Sequence, residues 1–258
     1  MIIKPYSSMH FYERDGSFAK GAGLGEARKR GLFPSVTTIS GIIRLPAIDA
    51  WRNNLLLNVA WDELIRCVGL RDPDEIEWKK TVTDEWRRGQ SKASGLGTDV
   101  HGSIEDFLRD GRRPNPHGTD LILSTIDQIE AWMEENVVKI DGIEDSFAHP
   151  MGFGGRTDLH GTWGVRQRPF TLDWKTQGKP IDDISFWDDW PVQLSANAAG
   201  QGKLDGDLIS AAISTVEPYG VTFREPWGDN LYWFGRFNNR FDVWKDEKKF
   251  DPLDWSPA

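Results

Sequence analysis

Asp158, Asp173 and Lys175 are the residues whose types and spacing best suit chemistry, and that chemistry is metal-dependent cleavage of a phosphodiester. They lie in two short stretches, Gly154-Gly155-Arg156-Thr157-Asp158 and Leu172-Asp173-Trp174-Lys175-Thr176. In the second stretch Phe170, Leu172 and Trp174 alternate with Thr171, Asp173 and Lys175. A strand therefore buries the first set and presents the second. Asp158 is in step with Gly154, Arg156 and His160 along its own strand. Two carboxylates and one amine on a sheet surface make a site for a hard cation with a proton-handling group beside it.

Spacing alone selects nothing, because the chain holds four acid-x-Lys matches: Glu77/Lys79, Asp173/Lys175, Asp246/Lys248 and Glu247/Lys249. The first and the last two fall in charge-dense stretches that read as solvated helix faces. Only Asp173/Lys175 sits in an apolar, strand-like run preceded by a glycine-flanked acid. The competing explanation is an ordinary ion pair on a surface strand.

The elements that must position these residues follow from periodicity and punctuation. Residues 1–34 are Gly-rich and irregular, with Tyr6, Phe11 and Tyr12 marking a short strand or arm. Pro34 to Ile39 reads as a turn and a short ordered segment. Pro46 opens a helix through Cys67 with an apolar stripe of Trp51, Leu55, Val59, Leu64 and Ile65. A polar helix spans Asp74 to Arg88. Gly95-Leu96-Gly97-Thr98 then offers a loop, with Thr98 capping a helix from Asp99 to Arg109 that turns Val100, Ile104, Phe107 and Leu108 inward. Pro114 and Pro116 break the chain before a periodic helix from Thr119 to Val138, carrying Leu121, Ile122, Ile126, Ile129 and Trp132. Strands are expected at Ile143–His149, Gly152–Trp163 and Phe170–Thr176, a helix at Ser185–Gly200 and a strand at Leu208–Val216. The tail from Asn230 to Lys249 carries Leu231, Phe234, Phe241 and Trp244 at helical spacing and packs as a closing helix. No repeat or low-complexity segment is present.

This order predicts an α/β core in which consecutive strands pair directly. The 258 residues suffice for one sizeable core with a helical appendage. A single domain is expected: an N-terminal arm and helical elaboration over 1–95, a catalytic core over 96–216 and a closing segment over 217–258. No apolar run reaches membrane-spanning length and the N-terminus lacks the apolar stretch of a signal peptide, so a soluble, cytoplasmic protein with no membrane partner is expected. The lone cysteine, Cys67, excludes an internal disulfide framework and any four-cysteine cluster. The net charge of −9 runs against the basic footprint usual for nucleic-acid enzymes, yet net charge says little about local fields. Basic residues cluster at Arg28/Lys29/Arg30, at Arg87/Arg88 with Lys92, and at Arg109/Arg112/Arg113. The last two groups flank His101. They are either solubilising helix ends or the walls of a DNA groove, and Trp86 is open as a stacking platform for unpaired bases, whereas core packing suits Trp51 and Trp61.

Taken together, Gly97-Thr98-Asp99-Val100-His101 with Glu105, then Gly155-Arg156-Thr157-Asp158-Leu159, then Leu172-Asp173-Trp174-Lys175-Thr176, then Gln193-Leu194-Ser195-Ala196, resemble the PD-(D/E)XK nuclease superfamily. More narrowly they resemble its RecB-type exonuclease branch, phage and mitochondrial members included, to which Pro34-Ser35-Val36-Thr37-Thr38-Ile39 is also similar. The resemblance covers about residues 34–200. It implies a restriction-endonuclease-like core, a mixed central sheet flanked by helices, with an N-terminal helical elaboration.

The resemblance also assigns roles. His101 is implied as a metal ligand reaching in from its helix, against the alternative of a satisfied histidine near a helix start. Asp158 and Asp173 are implied as the two catalytic acids on the same ion, with the backbone carbonyl of Trp174 as a further ligand. Such a set suits Mg²⁺, with Mn²⁺ as an effective substitute. Lys175 is implied to orient the attacking water, and a nearby cation would lower its pKa. Gln193 is implied to hold the lysine or the water; the alternative is a buried glutamine bonding the backbone. Glu105 and Glu144 are either direct ligands or acids that orient His101 or a water. Arg87, Arg88, Lys92, Arg112 and Arg113 are the DNA-binding candidates.

Departures from the family pattern are informative. Asn197 stands where the branch often has tyrosine four positions after the glutamine. The single cysteine rules out the iron–sulfur cluster of some members. No helicase motif is present, so unwinding falls to a partner. The expected function is a metal-dependent DNA exonuclease of recombination, repair or processing, plausibly phage-encoded and then resident in the host cytoplasm. Its partners would be DNA with a recombinase, a single-strand-binding protein or a helicase. A structure- or sequence-specific endonuclease and a catalytically idle DNA- or protein-binding relative are the alternatives.

Overall fold

The computed structural model describes residues 9–43, 46–67, 75–113 and 119–255. Tyr6 and the Pro114/Pro116 break lie outside these residues, as does the side chain of Trp51. The chain divides into two compact units, one of Ile43–Gly102 and one of the remaining residues.

In the larger unit a short hairpin, β1 (Phe11–Tyr12) with β2 (Phe33–Pro34), frames α1 (Leu24–Arg30). Ser35 then caps α2 (Val36–Ser40), its hydroxyl accepting from the Thr38 N–H at 3.0 Å. Beyond α5 (Asp120–Asn136) the chain forms a five-stranded mixed sheet of β3 (Val137–His149), β4 (Phe153–Trp163), β5 (Arg168–Gln177), β6 (Asp207–Ser214) and β7 (Gly220–Arg224), in that spatial order. Neighbours are antiparallel except β5 and β6, which run parallel and are joined through α6 (Asp189–Gly200). This is the mixed α/β sheet flanked by helices that the sequence predicts. Gly152 closes the β3–β4 hairpin at φ +90°, a backbone state that a side chain would strain.

Packing explains where the elements stop. The α5 helix gives way to strand at Val137, so Val137 and Val138 extend β3 instead of ending the helix. The α6 helix starts at Asp189, four residues later than predicted, with Pro191 in a first turn that needs no N–H from it. It is buried on both sides. Val192 and Ala196 join a cluster with Phe11, Phe147, Phe153, Phe237, Phe241 and Trp244, while Trp190, Leu194 and Ala198 pack against Leu208, Ala212 and Trp227. The strand β7 was not read from the sequence; its Phe223 stacks on Trp132 of α5 at 4.4 Å. The closing helix α7 (Asn230–Lys248) buries Phe237, Phe241 and Trp244, yet Leu231 at its first turn is exposed, contrary to expectation, because it precedes the face that meets the core.

The smaller unit holds α3 (Pro46–Cys67) and most of α4 (Glu75–Asp110). Its helices approach where Gly89 faces Leu55, and the Trp86 indole N–H donates to the Arg52 carbonyl at 3.2 Å. Of the stripe expected on α3, Leu55 and Val59 are half-buried while Leu64 and Ile65 are exposed; Trp61, expected to pack in the core, is exposed as well, as is Leu57. One narrow face, around Leu55, does the packing.

The predicted loop at Gly95–Thr98 is absent. The helix α4 runs unbroken for 36 residues, and the Thr98 hydroxyl donates to the Ser94 carbonyl at 3.1 Å instead of capping a new helix. Each internal glycine costs about 1 kcal/mol relative to alanine, which a long helix can absorb. Nothing lies within 4 Å of a Cβ built on Gly95. Gly95→Ala is therefore expected to stabilise the protein by about 0.5–1 kcal/mol. A denaturant midpoint that fell instead would show that position 95 needs glycine.

Candidate active site

The site grows from the point where β4 and β5 part. Their antiparallel ladder holds from Trp163↔Arg168 to Leu159↔Leu172. At the next step the Trp174 N–H is donated to Asp158 Oδ2 at 2.9 Å. A buried backbone N–H needs a partner, and here a carboxylate takes the place of the neighbouring strand. The β5 strand meanwhile continues parallel to β6 through Gln177. Asp158 thereby sits in the fork between two strands.

Asp173 and Lys175, two residues apart on β5, form an ion pair of 2.6 Å between Oδ2 and Nζ. The alternation predicted for β5 is present, but both of its faces are covered. Thr171 and Asp173 are 0% and 7% exposed, because β5 is the middle strand and α6 packs on it. Of Thr171, Asp173 and Lys175, only Lys175, toward the strand end, retains appreciable exposure.

Glu144 enters from β3. Its backbone is left-handed, with φ at +52°, and its side chain is buried against the Arg156 guanidinium, Nε to Oε2 at 2.5 Å. Carboxylate oxygens of Glu144 and Asp158 lie within 4.8 Å of one another. Three acids thus converge on one place with two cations beside them. Neither ion pair aligns a hydrogen bond: Glu144 Oε2 and Asp173 Oδ2 are buried oxygens without one. A hard divalent cation suits oxygens so placed, so the residues present fit the ion that the family resemblance implies.

Electrostatics bear the marks of this crowding. Burial first, and the Asp173 and Glu144 carboxylates after it, push the Asp158 carboxyl well above its ordinary range against the opposing pull of Lys175. Burial likewise raises Glu144, although Arg156 counteracts it. For Lys175, burial alone would lower the pKa, but Asp173 and Asp158 outweigh it and the ammonium is held above its usual value. The lowering expected beside a cation concerns the loaded site; the acids alone act in the opposite sense.

The other predicted residues are placed as follows. Gln193 lies one turn after Asp189 on α6 and donates to its Oδ2 at 3.0 Å; Asp189 forms a buried ion pair with Arg240. The Trp174 side chain is core, 2% exposed. Glu105, near the end of α4, is bound by Arg109 Nε at 2.9 Å, and Arg109 also donates to the Ile143 carbonyl just before Glu144. His101 is partly buried on α4, at the end of the smaller unit. The DNA-binding candidates are engaged locally: Arg87 with Asp84, Arg88 with Glu85, Arg112 with Asp106 and Asp110, and Arg113 with Asp127 and Glu130. Lys92 is exposed. Asn197 is buried beside Gly155.

Two features carried no role in the sequence. Arg156 was visible only as the residue between the glycines and Asp158. His160 Nε2 meets Asp145 Oδ2 at 3.1 Å over Gly142, whose missing Cβ makes the room. No spacing rule exposes that pair, since the strand register creates it.

No family model matches the sequence, and no curated protein matches it. Among solved structures the chain is similar to the crystal structure of SSO0001, with 10% identity over 74% of this chain and 87% of that one and a TM-score of 0.34. It is also similar to an alkaline exonuclease, LHK-Exo, from Laribacter hongkongensis, with 13% identity over 60% of this chain and 81% of that one and a TM-score of 0.32. The same exonuclease in complex with dAMP matches with 14% identity, 60% and 81% coverage, and a TM-score of 0.29.

Proposed function

We propose that this chain is a divalent-metal-dependent deoxyribonuclease of the PD-(D/E)XK type, most simply an exonuclease. The observation that carries the reading is the fork between β4 and β5, where half-buried Asp158 and the Asp173–Lys175 pair meet Glu144. Three acids crowded together with little solvent access are costly unless a cation is their purpose.

In this reading Glu144 and Asp158 offer oxygens to the ion, with Asp173 and the Trp174 carbonyl beside them, and His101 is the further ligand that the family resemblance implies. One imidazole among carboxylates suits Mg²⁺ and tolerates Mn²⁺. Bound there, the ion would supply Lewis acidity at a phosphoryl oxygen and ease deprotonation of the attacking water. Lys175 orients that water and stabilises the charge that builds on the phosphate. Asp173 aims the lysine. Gln193 acts through Asp189, whose charge reaches Lys175. Glu105 acts through Arg109 on the strand that carries Glu144. Arg87, Arg88, Lys92, Arg112 and Arg113 would meet the DNA backbone, the four arginines exchanging their present acidic partners for phosphates. Among the described residues no helix is long and apolar enough to cross a membrane.

The test is end-labelled linear DNA, single- and double-stranded, with Mg²⁺ or Mn²⁺ and a covalently closed circular control. Degradation of linear DNA, abolished by chelator, with the circle intact, is the expected result. A cut circle would favour the endonuclease alternative. If Asp158→Ala and Lys175→Ala kept full cleavage, the site would lie elsewhere.

A further inference from the structure

We propose that Arg156 is a phosphate-binding residue held in reserve: without a metal ion it neutralises Glu144, and a divalent cation displaces it onto the DNA strand. The proposal rests on the reading of the fork as a metal and DNA site.

The two basic side chains of the fork differ in their freedom. Lys175 is confined, 26% exposed, and tied to an acid on its own strand. Arg156 is 56% exposed while its partner Glu144 is only 6% exposed, so the guanidinium can leave and the carboxylate cannot. Arg156 also lies two residues before Asp158 on β4, and both reach Glu144 from the same side. An ion shared by Glu144 and Asp158 draws on the same Glu144 carboxylate as the guanidinium. A dication placed against a fixed Arg⁺ pays like-charge repulsion, and the exposed group relieves it by swinging outward. Tyr12, buried over Gly154, is near enough to feel the charges of both Arg156 and Glu144. The exposed guanidinium opens toward solvent, where the reading puts the strand being cut. Guanidinium is the side chain best matched to a phosphate, through two parallel N–H donors.

This predicts opposite signs for two measurements on one variant. In the full-length protein, Arg156→Ala should bind Mn²⁺ several-fold more tightly by calorimetry without DNA, because the competitor for Glu144 is gone. The same variant should bind a single-stranded oligonucleotide about tenfold more weakly by anisotropy with Ca²⁺ in place of Mg²⁺, with the salt slope smaller by about one. Arg156→Lys, which retains the charge but not the fork of donors, should fall between. A purely structural role would lower Mn²⁺ affinity, DNA affinity and thermal midpoint together, and that outcome overturns the proposal. So would unchanged Mn²⁺ affinity or unchanged DNA affinity in Arg156→Ala. Wild-type protein that neither binds Mn²⁺ nor cuts DNA would instead overturn the nuclease reading, and this inference with it.

Discussion

Asp158→Asn should abolish cleavage and, in the absence of metal, make the protein more stable. The asparagine Oδ1 can still accept the Trp174 N–H that Asp158 accepts at 2.9 Å, so the strand fork is preserved. What disappears is a carboxylate charge crowded by Asp173 and Glu144. Losing it should add about 1–3 kcal/mol to the unfolding free energy, within the ordinary range for one substitution. Cleavage should fall by about 10³-fold or more, the scale seen when a main electrostatic contribution to a transition state is removed.

The pH dependence of wild-type stability carries the same signature. Asp158 holds its proton more tightly in the folded state than in the unfolded chain. The folded state therefore binds more protons between the two pKa values, and stability declines as pH rises through that window. Its contribution is fully present below the unfolded carboxylate range and lost once pH passes the raised folded value. Metal-free Asp158→Asn should lack this decline. Thermal melts from pH 4 upward in chelator decide the matter: parallel curves for the two proteins would show that Asp158 is not crowded as described.

Lys175→Met should also abolish cleavage, but with the opposite effect on stability. The ammonium is the nearest compensation for Asp173 at 2.6 Å, and it also steadies Asp158. Removing one partner of a buried pair strands the other, at about 3–5 kcal/mol when fully buried. Partial exposure of Lys175 screens the pair and puts the expected loss toward the lower end. Divalent cation should restore part of it, because the ion supplies the missing positive charge. Mn²⁺ binding should persist while activity does not, separating the lysine's role at the water from any role in holding the ion. Loss of Mn²⁺ binding together with activity would make Lys175 a structural residue alone.

Much of the site was legible in the sequence. Period-two alternation placed Asp173 and Lys175 together, and the glycine-flanked Asp158 pointed to the neighbouring strand. The glycines themselves have a structural reason: a Cβ on Gly154 would lie 2.7 Å from Tyr12 Cβ, and one on Gly155 would meet the Phe147 ring. Glu144 was visible as an acid on the preceding strand, but nothing local announced its left-handed backbone or the Arg156 pair. The helix through Gly95–Thr98 was misread because glycine and threonine are statistical breakers whose modest cost the rest of α4 outweighs. Leu64 and Ile65 keep the helical spacing of the α3 stripe without being buried, since periodicity identifies an apolar face and cannot supply a partner for it.

The amino-acid sequence by itself determined most helices and strands of an α/β core and the residue types available for chemistry, because these depend on local propensity and short-range alternation, whereas the mixed sheet followed only from the family resemblance. Tertiary structure alone decided that β4 and β5 part after Leu159 and Leu172, that Asp158 fills the gap, and that Glu144 arrives with Arg156. Those facts depend on strand register and burial between residues far apart in the chain. The resulting excess of buried negative charge is a property of the assembled sheet, and no stretch of sequence carries it alone.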